Sequence, residues 1–158
     1  MSQPKVLIIG LGNPTLGDDG VGWRVAEAVR DELAGTSALV EVDCLAVGGL
    51  TLMERMIGYD RVILIDAIRT GHQAMGSISS CPLESLAEPA AGHLSSAHDV
   101  SLTDALEVGR ATGAALPGKV EVVAIEAKYV YDFGEALSAP VAAALPQAVQ
   151  AVLTLLAG

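Results

Sequence analysis

The chain has 158 residues, 19 acidic against 9 basic, and a formal net charge of −10. That length predicts a single domain over residues 1–158, long enough to bury roughly 68–70% of its unfolded surface. With 51% hydrophobic and 18% charged residues the composition excludes a disordered chain, and the scattered Lys and Arg exclude partners bound through clustered phosphates, whether nucleic acid or an anionic membrane surface.

The opening Met1-Ser2-Gln3-Pro4-Lys5 lacks the basic start of a signal peptide. No uninterrupted apolar stretch reaches the ~18–20 residues that span a bilayer, so a cytoplasmic protein without membrane insertion is expected. Val6-Leu7-Ile8-Ile9, closed by Gly10, reads as a strand buried on both faces, the habit of parallel sheets. Val21, Val25, Ala28, Val29 and Leu33 recur at helical spacing, with Gly35 placed to end the helix. A strand over residues 39–42 and a short helix over 50–56 follow, and Val62-Ile63-Leu64-Ile65 repeats the first pattern, ending at Asp66.

Ser77–Ser80 reads as a weaker strand at a sheet edge. Residues 82–97, with Pro82, Pro89 and Gly92 and no periodicity, read as a long loop. Leu102, Ala105, Leu106 and Val108 mark a helix begun near Ser101, and residues 120–125 a strongly apolar strand. Residues 141–156 form a last helix with Pro146 in its first turns, where proline is tolerated. Strands alternating with helices predict an α/β fold: a three-layer α/β/α sandwich on a twisted, mostly parallel sheet of about five strands, phosphorylase/hydrolase-like.

In such sheets ligands bind beyond the carboxyl ends of strands, and two ends carry chemistry. The first strand enters Gly10-Leu11-Gly12-Asn13-Pro14-Thr15-Leu16-Gly17-Asp18-Asp19-Gly20. A phosphate loop does not fit it: Thr15 stands where G-x-G-x-x-G needs glycine, and two carboxylates guard the helix entrance. One acid is enough to cap a helix, so the pair Asp18 and Asp19 suggests a cation or a catalytic role for the second. Asp66 ends the third strand. Two carboxylates with an imidazole suit nickel, zinc or manganese, and His72, His93 and His98 are the imidazoles of the chain. Cys44 and Cys81 form no CxxC, and no G-x-S-x-G elbow occurs, which disfavours an acyl-enzyme route.

Several of these segments, in order, resemble the hydrogenase maturation proteases: Gly10-Leu11-Gly12-Asn13 through Asp18-Asp19-Gly20-Val21-Gly22; Gly48-Gly49-Leu50; Tyr59 to Ala67; Ser95-Ser96-Ala97-His98-Asp99-Val100; and Asp132-Phe133-Gly134-Glu135-Ala136-Leu137-Ser138. The resemblance implies an aspartic-type endopeptidase that removes the C-terminal extension of a nickel-loaded nickel–iron hydrogenase large-subunit precursor. It implies a metal-recognising and catalytic trio that falls on Asp19, Asp66 and His98, with Asp18 the rival of Asp19 for the first place. Nickel is carried by the precursor, with no tightly bound cofactor; a monomer is expected. Two alternatives share features. Peptidyl-tRNA hydrolase has the same Gly-Leu-Gly-Asn-Pro string, but it continues to a histidine where this chain has Asp18-Asp19-Gly20. A non-cleaving metallocentre-assembly chaperone would use the same residues as the protease.

Overall fold

A computed structural model describes residues 2–36, 38–86, 94 and 100–158. Its strands are β1 (Val6–Leu11), β2 (Val40–Leu45), β3 (Arg61–Ile68), β4 (Ile78–Pro82) and β5 (Lys119–Glu126). The helices are α1 (Val21–Leu33), α2 (Gly49–Met56), α3 (Leu102–Ala111) and α4 (Ala139–Ala157). One sheet runs in the order β2-β1-β3-β5-β4. Its first four strands are parallel, and β4 closes the edge antiparallel to β5.

Strand residues alternate between two cores because successive side chains leave a strand on opposite faces. Leu7, Ile9, Leu64 and Val122 meet Leu52 and Met56 of α2 and Leu102 and Leu106 of α3. Ile8, Ile63, Ile65 and Val123 meet Val21 and Val25 of α1 and Val141 and Val152 of α4. With both faces covered, the central strands read as unbroken apolar runs, which is the pattern the sequence displays.

The expected elements are present, with physically explicable shifts. β2 covers 40–45 rather than 39–42, because an edge strand interrupts its apolar run with the exposed Glu41 and the half-buried Asp43. β3 runs on to Ile68, so Asp66 lies inside the strand rather than at its end. Residues 83–85 of the expected long loop form one 3-10 turn. In α3, Ser101 is the N-cap and accepts the Asp104 N–H at 3.2 Å, meeting one of the unpaired donors of the first turn. Val108, however, faces solvent, and Gly109 takes the buried position on that turn.

Pro146 lies in the interior of α4, because the helix begins earlier, at Ala139 with Pro140 in its first turn. Proline removes the bond to the carbonyl four residues back. Here both Pro146 and Ala142 are exposed, so the break falls on the solvent side of the helix. Among the described residues α4 alone is long and apolar enough to cross a membrane by length and composition. It packs on α1 and β5, burying Val141, Ala144, Ala148 and Val152.

The connections create a crevice. From β1 the chain crosses through α1 to β2 on one side, then returns through α2 to β3 on the other side of β1. The loops leaving β1 and β3 therefore diverge, and the space beyond those two strand ends is the switch point where α/β sheets bind ligands.

Candidate functional site

The loop after β1 turns through Gly12, whose φ of +137° suits glycine, and a Cβ there would stand 1.9 Å from the Asp19 carbonyl oxygen. Only a bare α-carbon lets the strand end lie this close to the 3-10 turn at Gly17–Gly20. Gly22 acts similarly one turn on: its Cβ would meet the carbonyl oxygens of Leu11 at 2.3 Å and Ile65 at 2.6 Å. The start of α1 thus rests directly on the ends of β1 and β3. This close seat delivers Asp19 to the same sheet end as Asp66.

Asp19 is 7% exposed, and its Oδ2 accepts the Asn13 N–H at 2.8 Å. Asp66 is fully buried. The β1–β3 ladder ends at Gly10 opposite Ile65, so Asp66 is the first β3 residue past it, while still paired with Ala124 of β5. It sits where β1 stops covering β3, at the switch-point crevice. Burying a carboxylate is costly unless polar groups or cations meet it. Both acids are buried at this end of the sheet.

Asp18 has a different employment. Its Oδ1 accepts the Ser138 N–H at 2.7 Å and its Oδ2 the Ser138 Oγ–H at 2.8 Å. Ser138 is the N-cap of α4, so Asp18 sets a negative charge at that helix's positive end. The capping role expected of one acid is real, but it serves α4 and not α1, whose N-cap Gly20 has no side-chain cap. Both Asp18 oxygens are thus engaged by Ser138, while the Asp19 carboxylate accepts from the Asn13 N–H.

His72 lies exposed on the turn after β3, its N–H donating to Thr70 Oγ1 at 3.2 Å. His93 and His98 lie outside the described residues, as does Asp99. Of the expected trio, Asp19 and Asp66 thus lie at the same end of the sheet. Among the described residues no three His, Cys, Asp or Glu side chains converge on a common point.

Glu126 is a residue that the sequence reading passed over. It is 3% exposed at the end of β5, opposite Ile68. Its carboxylate accepts the Thr70 N–H at 2.9 Å and the Thr70 hydroxyl, fixing the turn that leaves β3 just beyond Asp66. A signal was present: an acid closes the apolar run of β5 much as Asp66 interrupts that of β3. The two cysteines are free and half-buried, on β2 and β4. Burial pushes both thiols up from their ordinary range, away from the thiolate a nucleophile needs.

The family model of the hydrogenase maturation proteases matches residues 24–155. The hydrogenase maturating endopeptidase HybD of Escherichia coli superposes with a TM-score of 0.74 at 25% identity, over 96% of this chain and 91% of that one. The [NiFe] hydrogenase maturation protease HybD of Thermococcus kodakarensis gives 0.69 at 25% identity, over 96% and 98%. Among curated proteins, the hydrogenase expression/formation protein HupM of Azotobacter chroococcum is 28% identical over 99% of this chain and 73% of its own. This assignment displaces the peptidyl-tRNA hydrolase reading, which rested on one short string. The chain belongs to the hydrogenase maturation protease family and is a peptidase.

Proposed function

We propose that the protein is an endopeptidase that removes the C-terminal extension of a nickel-loaded nickel–iron hydrogenase large-subunit precursor. The observation that supports the reading is that Asp19 and Asp66 are both buried at the end of the sheet where the β1 and β3 connections diverge. Family membership supports the substrate class.

In this reading nickel belongs to the substrate. Asp19, Asp66 and His98 meet the nickel held by the precursor's thiolates, a borderline-hard oxygen and nitrogen set suited to it. That contact places the scissile peptide bond beside the carboxylates, which converts recognition into positioning. Water then attacks the scissile carbonyl carbon. A carboxylate takes its proton and returns it to the departing amine nitrogen, so no covalent enzyme intermediate is needed. The raised thiols of Cys44 and Cys81 support a route without a cysteine nucleophile.

The test is to incubate the protein with nickel-loaded and nickel-free precursor and weigh each product. The loaded precursor is expected to lose its C-terminal extension and the nickel-free one to keep it. Cleavage of both forms at equal rates would remove nickel from the recognition step. Normal cleavage by Asp19→Asn and His98→Ala variants alike would overturn the residue assignment.

A further inference from the structure

The chain has one Trp, three Tyr and one Phe. Three of these side chains, Tyr129, Tyr131 and Phe133, stand together on the loop between β5 and α4, exposed by 46%, 70% and 92%. Trp23, half-buried, and Tyr59, buried, face inward with their polar atoms engaged. A chain this poor in aromatics would gain more by burying those rings in its core. Their concentration on one exposed loop is a feature of surface, and surface aromatics are the usual anchors of protein contacts.

The loop is held in place. Gly17 donates to the Gly134 carbonyl at 2.8 Å, Gly134 to Thr15 at 2.9 Å, and Asp18 to Tyr129 at 3.0 Å. Together with the two bonds from Ser138 to Asp18, these join the aromatic loop to the acid loop as one body. A groove of about 340 Å³ runs between them, lined by Gly17, Asp18, Tyr129, Phe133 and Leu137. The groove thus borders the loop that carries Asp19. The charge of the rim also departs from that of the molecule. The Arg69 guanidinium lies 5.3 Å from the Tyr131 ring centre and the Lys128 ammonium 5.8 Å from that of Tyr129. They offset the exposed Asp132, which lines the groove, and Glu135, so the rim is near neutral in a chain of net charge −10.

We infer that Tyr129, Tyr131 and Phe133 form a docking face for the folded body of the precursor, seating an apolar patch of its surface. The inference rests on the endopeptidase reading above and adds to it a second contact, separate from the nickel. A loop fixed by main-chain bonds presents its rings at little entropic cost, which suits a preformed surface. Its border, with Arg69 and Lys128 set against Asp132 and Glu135, carries little net charge, which suits an apolar contact.

The test is steady-state cleavage of the nickel-loaded precursor by wild type, Phe133→Ala, Tyr131→Ala, Phe133→Leu and Val108→Ala, with a thermal melt of each. Val108, 51% exposed on α3, is the control for losing an exposed apolar side chain elsewhere. Phe133→Ala is expected to raise KM about tenfold or more, with kcat moved less than about twofold. Phe133→Leu recovers part of that loss, Val108→Ala changes neither constant, and all the melts coincide. An unchanged KM for Phe133→Ala and Tyr131→Ala in the presence of wild-type cleavage overturns the docking face alone. A loss confined to kcat overturns it too, as does a wild-type dimer in sedimentation that Phe133→Ala dissociates. If wild type leaves the loaded precursor intact, the endopeptidase reading falls and takes this inference with it.

Discussion

Asp18 and Ser138, 120 residues apart in sequence, are joined by two hydrogen bonds, from the Ser138 N–H at 2.7 Å and from its hydroxyl at 2.8 Å. This clamp ties the loop after β1 to the start of the last helix, so the acid loop is a fixed part of the fold. Asp18→Ala removes both acceptors and leaves the half-buried Ser138 N–H and hydroxyl without them, at a cost of about 1 kcal/mol. Urea unfolding is expected to show that loss. Asp18→Asn keeps one acceptor and is expected to lose less.

Gly22→Ala strains the seat of α1. Its new methyl must displace the Leu11 and Ile65 carbonyls, at 2.3 and 2.6 Å, or lift the helix from the sheet. Overpacking of this kind costs roughly 1–3 kcal/mol, and moving α1 also moves Asp19 relative to Asp66. Stability and cleavage are expected to fall together. Gly118→Ala is the contrast: nothing lies within 4 Å of its Cβ. Its melting temperature is expected to hold or rise slightly as the unfolded chain loses freedom.

At the opposite end of the sheet Arg61 and Glu121 form a nearly buried ion pair, 2.6 Å apart. Arg61 also donates to the Leu155 carbonyl, tying β3 to the end of α4. Removing one partner of a buried pair leaves the other charge uncompensated, worth about 3–5 kcal/mol. Glu121→Leu is expected to destabilise by that order in denaturant titration. The kcat of the folded fraction is expected to stay at the wild-type value, because the pair stands at the strands' starts, away from the acids.

Cys44 and Cys81 give a pH prediction. Burial raises both thiols above their ordinary value of 9.0 in the folded chain. The folded state therefore favours the protonated thiol. This contribution to stability is fully present below pH 9 and is lost as pH rises through the folded values. Alkylation by iodoacetamide, which follows the thiolate, is expected to reach half its limiting rate above pH 9 in the native protein. In urea-unfolded protein the midpoint is expected near 9; equal midpoints in the two states would contradict the burial argument.

Much of the fold was legible because the central strands are buried on both faces. Residues 6–9 and 62–65 are continuous apolar runs and 120–125 is broken only by Glu121, and they are the cores of β1, β3 and β5. Asp66 was harder. A carboxylate after four apolar residues reads as a strand end, yet β3 continues past it because β5 still pairs there after β1 has stopped. The distinct fates of Asp18 and Asp19 were illegible for another reason: the partner that engages Asp18 is Ser138, far along the chain. Glu126 was passed over because its partner Thr70 belongs to a turn without periodicity. Pro146 was misplaced because helix starts are weakly marked, and Ala139 with Pro140 begins α4 before its apolar stripe does.

The most direct measurement is the mass of a nickel-loaded large-subunit precursor after incubation with wild type, Asp66→Asn and Asp19→Asn, each shown to be folded by its melt. Wild type is expected to shorten the precursor by its C-terminal extension. Each asparagine variant keeps the shape of the site but loses a carboxylate, and is expected to cleave at least about 100-fold more slowly, the scale of a lost general base. A precursor shortened by both variants at the wild-type rate would contradict the role assigned to the two buried acids.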